Sequence, residues 1–358
     1  MNTLILGLKF FTFLFIFWGI TESVAQNAGM NNRSKLPGTM AMLDSPKTPT
    51  DVVVVGKGYS VSIQDEKNPQ SLLNETKNNQ SSFTLSFSGP INQGAISLPV
   101  TYSNSGSNSE DGWNLLGNPY PCPYDWNAFW NEGNSGFSGT YYSNINPTIY
   151  SWDATSNSYK SYNAAAHSGT LPNGIIELGQ GFLAKATSLS PGITFQEQFK
   201  SIATPSEMVK PETTDEMVIR LQSGPADYDD FILKFKPGAG TGDDKYDISK
   251  LVNPTVNISS YGNDGIFHTL DSRPVPMNND TVNLGVSGSE GQFEMIFNEL
   301  PTLAETVFVL KDNYLHKTLL ITKGVKYGFS MKSSDPESQG NSRFIIYVQR
   351  HDSLEGSK

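Results

Sequence analysis

Met217-Val218-Ile219-Arg220-Leu221 and Phe231-Ile232-Leu233-Lys234-Phe235 decide the fold of this chain. In each run a large apolar residue returns at every second position. A two-residue period puts one face of an extended strand on a core and the other toward water. The same period recurs toward the C-terminus in Phe293/Met295/Phe297, Tyr327/Phe329/Met331 and Phe344/Ile346/Val348. Toward the N-terminus Phe83, Leu85 and Phe87 alternate with Thr84, Ser86 and Ser88, and Ile96, Leu98 and Val100 continue the pattern. Val52 to Val55 is a β-branched run. Pro237-Gly238-Ala239-Gly240 and Asn263-Asp264-Gly265 supply turn chemistry between such runs. Helical signal is confined to one turn near Asp247 to Leu251.

Between Thr204 and Thr214 the alternation lapses into Pro205, Ser206, Glu207, Lys210, Pro211 and Glu212, the composition of a linker. Many short alternating strands on either side of it predict an all-β chain of two β-sandwich (jelly-roll or Ig-like) domains in tandem. Their expected bounds are 51–204 and 215–350, with a linker at 205–214 and a polar tail at 351–358.

The N-terminus carries an export pattern. Lys9 gives the positive charge, and Phe10 to Ile20 form an apolar run broken only by Thr12 and Gly19. Ser23-Val24-Ala25 places small residues before Gln26, as a signal peptidase requires. The expectation is a signal peptide over 1–25, cleaved between Ala25 and Gln26. The competing reading is a membrane anchor, but a spanning helix needs about 20 apolar residues and Lys9 interrupts this run. A polar, Pro-broken leader over 26–50 follows, and no other segment approaches spanning length.

Composition narrows the partners. The net charge is −10, and loss of residues 1–25 removes Lys9 and Glu22 together, leaving it at −10. An acidic chain gains nothing from nucleic acid or anionic membrane. Only 17% of residues are charged, against about 25% in ordinary domains. Asn, Ser, Gly and Thr carry the polarity instead. The single cysteine, Cys122, excludes an internal disulfide framework, and a quiet, buried thiol is expected for it.

Residues 112–130 read Gly-Trp-Asn-Leu-Leu-Gly-Asn-Pro-Tyr-Pro-Cys-Pro-Tyr-Asp-Trp-Asn-Ala-Phe-Trp. Thr148-Ile149-Tyr150-Ser151-Trp152-Asp153 and Gly179-Gln180-Gly181-Phe182-Leu183-Ala184-Lys185-Ala186 follow, with Gly56-Lys57-Gly58-Tyr59 and Phe87-Ser88-Gly89-Pro90-Ile91-Asn92-Gln93-Gly94 upstream. In this order they resemble a module of large secreted and surface proteins of Bacteroidota, typically cargo of the type IX secretion system. Asp229-Asp230-Phe231, Tyr246 to Leu251, Tyr327-Gly328-Phe329 and Arg343-Phe344 extend the resemblance through the second half. It implies export and a surface address but no chemistry. Such proteins usually end in a sorting domain, whereas a polar tail follows Val348 here, so the periplasm stays open as an end point.

Two groups of residues are candidate sites. Trp113, Trp126, Trp130 and Trp152 fall within 40 residues, with Tyr120, Tyr124, Tyr141, Tyr142 and Tyr150 among them. Flat aromatic faces stack on sugar rings, so Tyr120, Tyr124, Trp126 and Trp130 are the candidate glycan-binding set, with Tyr120, Tyr124 and Trp130 expected on the surface. The competing reading is core packing, stiffened by Pro119, Pro121 and Pro123. The second group is acidic: Asp227, Asp229 and Asp230 at one turn, and Asp243, Asp244 and Asp247 at another. Calcium favours several carboxylate oxygens, while solvated turn carboxylates are the competing reading. Calcium is the one cofactor these residues suggest.

Enzyme signatures are missing. There is no Gly-x-Ser-x-Gly elbow, His-Glu-x-x-His, phosphate-binding loop or dinucleotide-binding glycine set. His167, His268, His316 and His351 are scattered, each beside a polar residue, and are expected on the surface. The sequence therefore predicts a non-catalytic extracellular or cell-surface protein serving adhesion, glycan contact or matrix association. A structural spacer without a ligand is the alternative, and a secreted glycan hydrolase a weaker one. Oligomeric state is not legible.

Overall fold

A computed structural model describes residues 54–58, 90–103, 111–133, 141–153, 155–202, 215–262 and 265–350. The strands Asn2–Leu8, Leu14–Phe15, Ser60–Val61 and Phe83–Gly89 are described by backbone alone. The predicted cleavage point at Ala25 and Gln26, the leader 26–50, the linker 205–214 and the tail 351–358 lie outside the described residues.

The chain is all-β and divides into two compact units, the first Met1–Ala154 with Leu171–Met208, the second Thr155–Thr170 with Val209–Lys358. The division is not strictly sequential, because residues 155–170 belong with the C-terminal unit. Among the described residues no helix is long and apolar enough to cross a membrane.

In the first unit, Ile145–Asp153, Gly181–Ala186 and Trp113–Gly117 pair antiparallel in that order. Gly192–Phe195 pairs on one edge with Ile96–Ser97 and on the other with Tyr142–Ser143. Of the strand expected at Val52–Val55, the described residues Val54 and Val55 lie outside any strand. One helix, Trp126–Glu132, was not expected. Asp125 starts it: its carboxylate accepts the Ala128 amide at 2.8 Å, satisfying one of the donors that a helix N-terminus leaves free. Trp126 and Phe129, one turn apart, are its buried face.

Gly112 marks where backbones meet most closely. Its φ is +79°, and a Cβ there would stand 2.0 Å from the Ala186 carbonyl oxygen. The Ala186 amide donates to the Gly112 carbonyl at 2.7 Å, so only glycine permits this approach.

The second unit holds one continuous sheet of eleven strands. From one end the order is Lys317–Leu320, Thr306–Asp312, Gly340–Arg350, Asp280–Gly288, Val256–Tyr261, Phe267–Arg273, Asp227–Phe235, Glu216–Gly224, Gly291–Glu299 and Lys326–Met331. The Asp227–Phe235/Phe267–Arg273 pair is parallel. The helical turn expected near Asp247 is instead the short strand Ile248–Ser249, paired antiparallel with Phe267–Arg273.

Side chains from most strands of the sheet enter a single core that includes Met217, Ile219, Leu221, Phe231, Leu233, Phe235, Phe293, Phe297, Phe329 and Phe344. Phe329, on the last strand, meets Phe344, on the third strand from the other end, edge-on at 4.8 Å between ring centres. The sheet therefore curls until its ends share one interior. The alternation predicted facing sheets, and the enclosure here comes from one curled sheet.

Candidate functional site

Each candidate aromatic residue is placed by backbone chemistry. Asn118 follows the Trp113–Gly117 strand, and its Nδ2 donates to the carbonyls of Cys122 (2.8 Å), Ile176 (3.2 Å) and Glu177 (3.1 Å), while its Oδ1 accepts the Tyr120 amide at 3.0 Å. One side chain thus ties the proline-rich connection to the segment around Ile176. Asn114 does similar work, donating to Thr101 O and Gly112 O at 2.8 Å each. The asparagines of the distinctive motif serve the fold.

The aromatic rings fall inward. Tyr120, Tyr124 and Trp126 are 1%, 0% and 0% exposed. Tyr124 stacks on Phe195 at 3.8 Å between ring centres, with planes 4° apart. The polar tips of all three are used internally. Tyr120 Oη donates to Gly94 O at 2.7 Å, Tyr124 Oη accepts the Gln196 amide at 3.0 Å, and Trp126 Nε1 donates to Pro147 O at 2.8 Å. The expected exposure of Tyr120 and Tyr124 is therefore corrected: a buried aromatic with its polar tip bonded offers no face to a sugar. Trp130 alone of the four is half-buried, stacked on Tyr142 at 4.0 Å. Cys122 is half-buried too, and burial pushes its thiol pKa up, away from the reactive thiolate.

The carboxylates of the first acidic cluster are engaged with protein partners. Asp229 binds Lys250 at 2.6 Å and also accepts the Ile258 amide at 2.7 Å. Asp230 is held by Arg220 at 2.7 Å and by Lys160 at 3.3 Å. Asp227 accepts from Asn157 at 3.4 Å and from Thr255 at 3.3 Å. Asp229 and Asp230 are buried, so the reading of a solvated turn does not hold for them.

The second cluster separates into two jobs. Asp244 caps its own loop, accepting the amides of Gly240 and Tyr246 at 2.7 Å each. Asp243 and Asp247 instead converge with His268, their donor atoms all lying within 4.8 Å of one another. His268 Nε2 lies 3.1 Å from Asp243 Oδ1. Asp247 accepts the amides of Ser272 at 2.7 Å and of Asp244 at 2.8 Å. Burial pushes the Asp247 carboxyl up to about 7. For His268 burial works downward, but the hydrogen bond to Asp243 and the charges of Asp247 and Asp271 bring it above its ordinary value.

His268 is 3% exposed, which overturns the surface position expected for it; His167 and His316 are exposed. It stands some twenty residues beyond the acidic loop in sequence, and only the pairing of strands brings it back. The one local sign was its place in an extended run after Phe267.

No curated protein and no solved structure matches the chain. A family model described as Domain of unknown function (DUF8693) matches residues 36–347. That span takes in both units, the buried asparagine and tyrosine framework and the His268 cluster, and the chain belongs to this family.

Proposed function

We propose that this chain is a non-catalytic module of an exported protein, whose β units serve as a structural spacer. The observation that carries the reading is the burial of Tyr120, Tyr124 and Trp126 with their polar tips bonded to backbone. Residues that looked like a glycan platform are spent on the core. Hydrolysis of glycans needs two facing carboxyl groups free to exchange protons. Of the six buried carboxylates described in the second unit, Glu216, Asp229, Asp230, Asp271 and Asp312 are each tied to Lys or Arg, which leaves Asp247 alone untied. The export pattern ending at Ala25 supports an address beyond the inner membrane, at the surface or in the periplasm.

A glycan array probed with the purified chain tests the spacer reading, with no binding as the expected result. The half-buried Trp130 favours a second reading, contact with a glycan through that ring. Array binding that disappears in Trp130→Ala would replace the spacer with an adhesive role. Fractionation of native cells with mass spectrometry of the N-terminus tests export. A first residue of Gln26 outside the cytoplasm is expected, and an intact Met1 in the cytoplasm would overturn it.

A further inference from the structure

Charge accounting in the second unit singles out one carboxylate. Six are buried among the described residues: Glu216, Asp229, Asp230, Asp247, Asp271 and Asp312. Five have a cationic side chain against them, namely Lys234, Lys250, Arg220, Arg273 and Arg343 in the same order with Asp247 passed over. Asp247 has backbone amides and His268 near it, but no lysine or arginine within ion-pair distance. Among the six, Asp247 alone faces an imidazole in place of a lysine or arginine.

A second observation points to the same place. Ser260 stands directly opposite His268 in the Val256–Tyr261/Phe267–Arg273 ladder, so its side chain leaves the sheet on the same face as the imidazole. Ser260 is 0% exposed, and its hydroxyl has no hydrogen-bond partner. Buried hydroxyls are rarely left so. Here the orphan lies beside a histidine whose other neighbours are two carboxylates.

The donors suit a metal. Two ligands on one tetrahedral zinc ion, each about 2.0–2.1 Å from it, lie roughly 3.3 Å apart. His268 Nε2 and Asp243 Oδ1 are 3.1 Å apart already. Asp247 is fixed by two amides, while the Asp243 side chain is 45% exposed and opens the cluster to solvent. An imidazole among the donors favours zinc and its transition-metal neighbours over calcium, which takes six to eight oxygens.

We propose that Asp243, Asp247 and His268 form a binding site for a divalent transition-metal ion of the zinc class. The ion would lie between these three donor side chains, on the face of the sheet that the unpartnered Ser260 hydroxyl shares with the imidazole.

The test uses the tag-free chain, stripped with a chelator and then dialysed against zinc or calcium. Expected are one zinc ion retained per chain, a raised melting temperature, and no comparable uptake of calcium. Asp243→Asn, at an exposed position, and His268→Gln should each abolish stoichiometric zinc. If His268→Gln fails to fold, Asp243→Asn decides, because that side chain is 45% exposed and circular dichroism checks that the variant is folded. Absence of stoichiometric zinc, calcium retained in its place, or zinc that survives Asp243→Asn would overturn the proposal.

Discussion

The guanidinium of Arg343 meets the carboxylate of Asp312 at 3.0 Å, with the two side chains 1% and 0% exposed. The pair closes the curled sheet chemically. Arg343 also donates to the carbonyls of Ser330 and Ser338, and Asp312 accepts from Tyr327 Oη at 2.9 Å. Asp312 lies on the second strand of the sheet and Tyr327 on its last, so the network spans the two ends that the core brings together. Removing one partner of such a pair leaves a buried charge uncompensated, at a cost of about 3–5 kcal/mol. Arg343→Met and Asp312→Asn should each lower the unfolding free energy by that order. Tyr327→Phe should cost roughly 1 kcal/mol. Urea melts of the three variants check the ranking, and equal losses would mean that the pair does not close the sheet.

Asn118 offers a sharper contrast because its partners are all acceptors on one side. Its Nδ2 faces three carbonyl oxygens, and its Oδ1 faces the Tyr120 amide. Asn118→Ala strands these groups in the interior, where each unsatisfied one costs about 1–3 kcal/mol. Asn118→Asp keeps the shape but turns an acceptor toward acceptors, so it should be the worse of the two. Thermal melting of the variants tests this order. An aspartate variant as stable as the parent would show that the side chain is not buried as described.

Tyr124 and Trp130 separate core from surface within the same aromatic run. Tyr124 is 0% exposed and stacked on Phe195, so Tyr124→Ala should cost about 3–5 kcal/mol, the usual loss for a large buried aromatic. Trp130 is half-buried, and Trp130→Ala should cost clearly less. Circular dichroism melts supply the comparison. Similar losses for both would place Trp130 in the core as well and remove the one ring left for glycan contact.

How far the sequence could be read depended on where polarity sits. Strands with one wet face, such as Glu216–Gly224 and Gly291–Glu299, show their apolar residues at every second position. Phe267–Arg273 was missed because all but its first residue are buried, and polar Thr269, Asp271 and Arg273 sit inside, the last two bonded to each other, which erases the alternation. The helix Trp126–Glu132 is too short for a helical period to register, and Asp125 was its only local sign. Aromatic identity showed that Tyr120 and Tyr124 mattered but not which way they face, since stacking on a sugar and stacking on Phe195 use the same ring. His268 was invisible beside Asp243 and Asp247 because strand pairing, not spacing, joins them.

Alkaline pH offers the most specific probe of the buried phenols. Burial foremost, with the charges of Glu197 and Cys122 adding to it, pushes Tyr120 up to about 12, against about 10 for a tyrosine in an unfolded chain. Burial raises Tyr124 as well. The folded state thus holds these protons more tightly than the unfolded state. The Tyr120 contribution to stability is complete below about pH 10 and is lost as pH rises through about 12. Tyr120→Phe removes the ionising group along with its hydrogen bonds to Gly94 O and Phe195 O. At neutral pH the variant should therefore be the weaker protein by roughly 1 kcal/mol. Because the parent alone loses the proton linkage of this phenol, the gap should narrow between about pH 10 and pH 12. Denaturant melts at stepped pH, followed alongside tyrosinate absorbance, measure the gap directly. A gap that stays constant across that window would mean that Tyr120 ionises freely in the folded protein, against its place in the core.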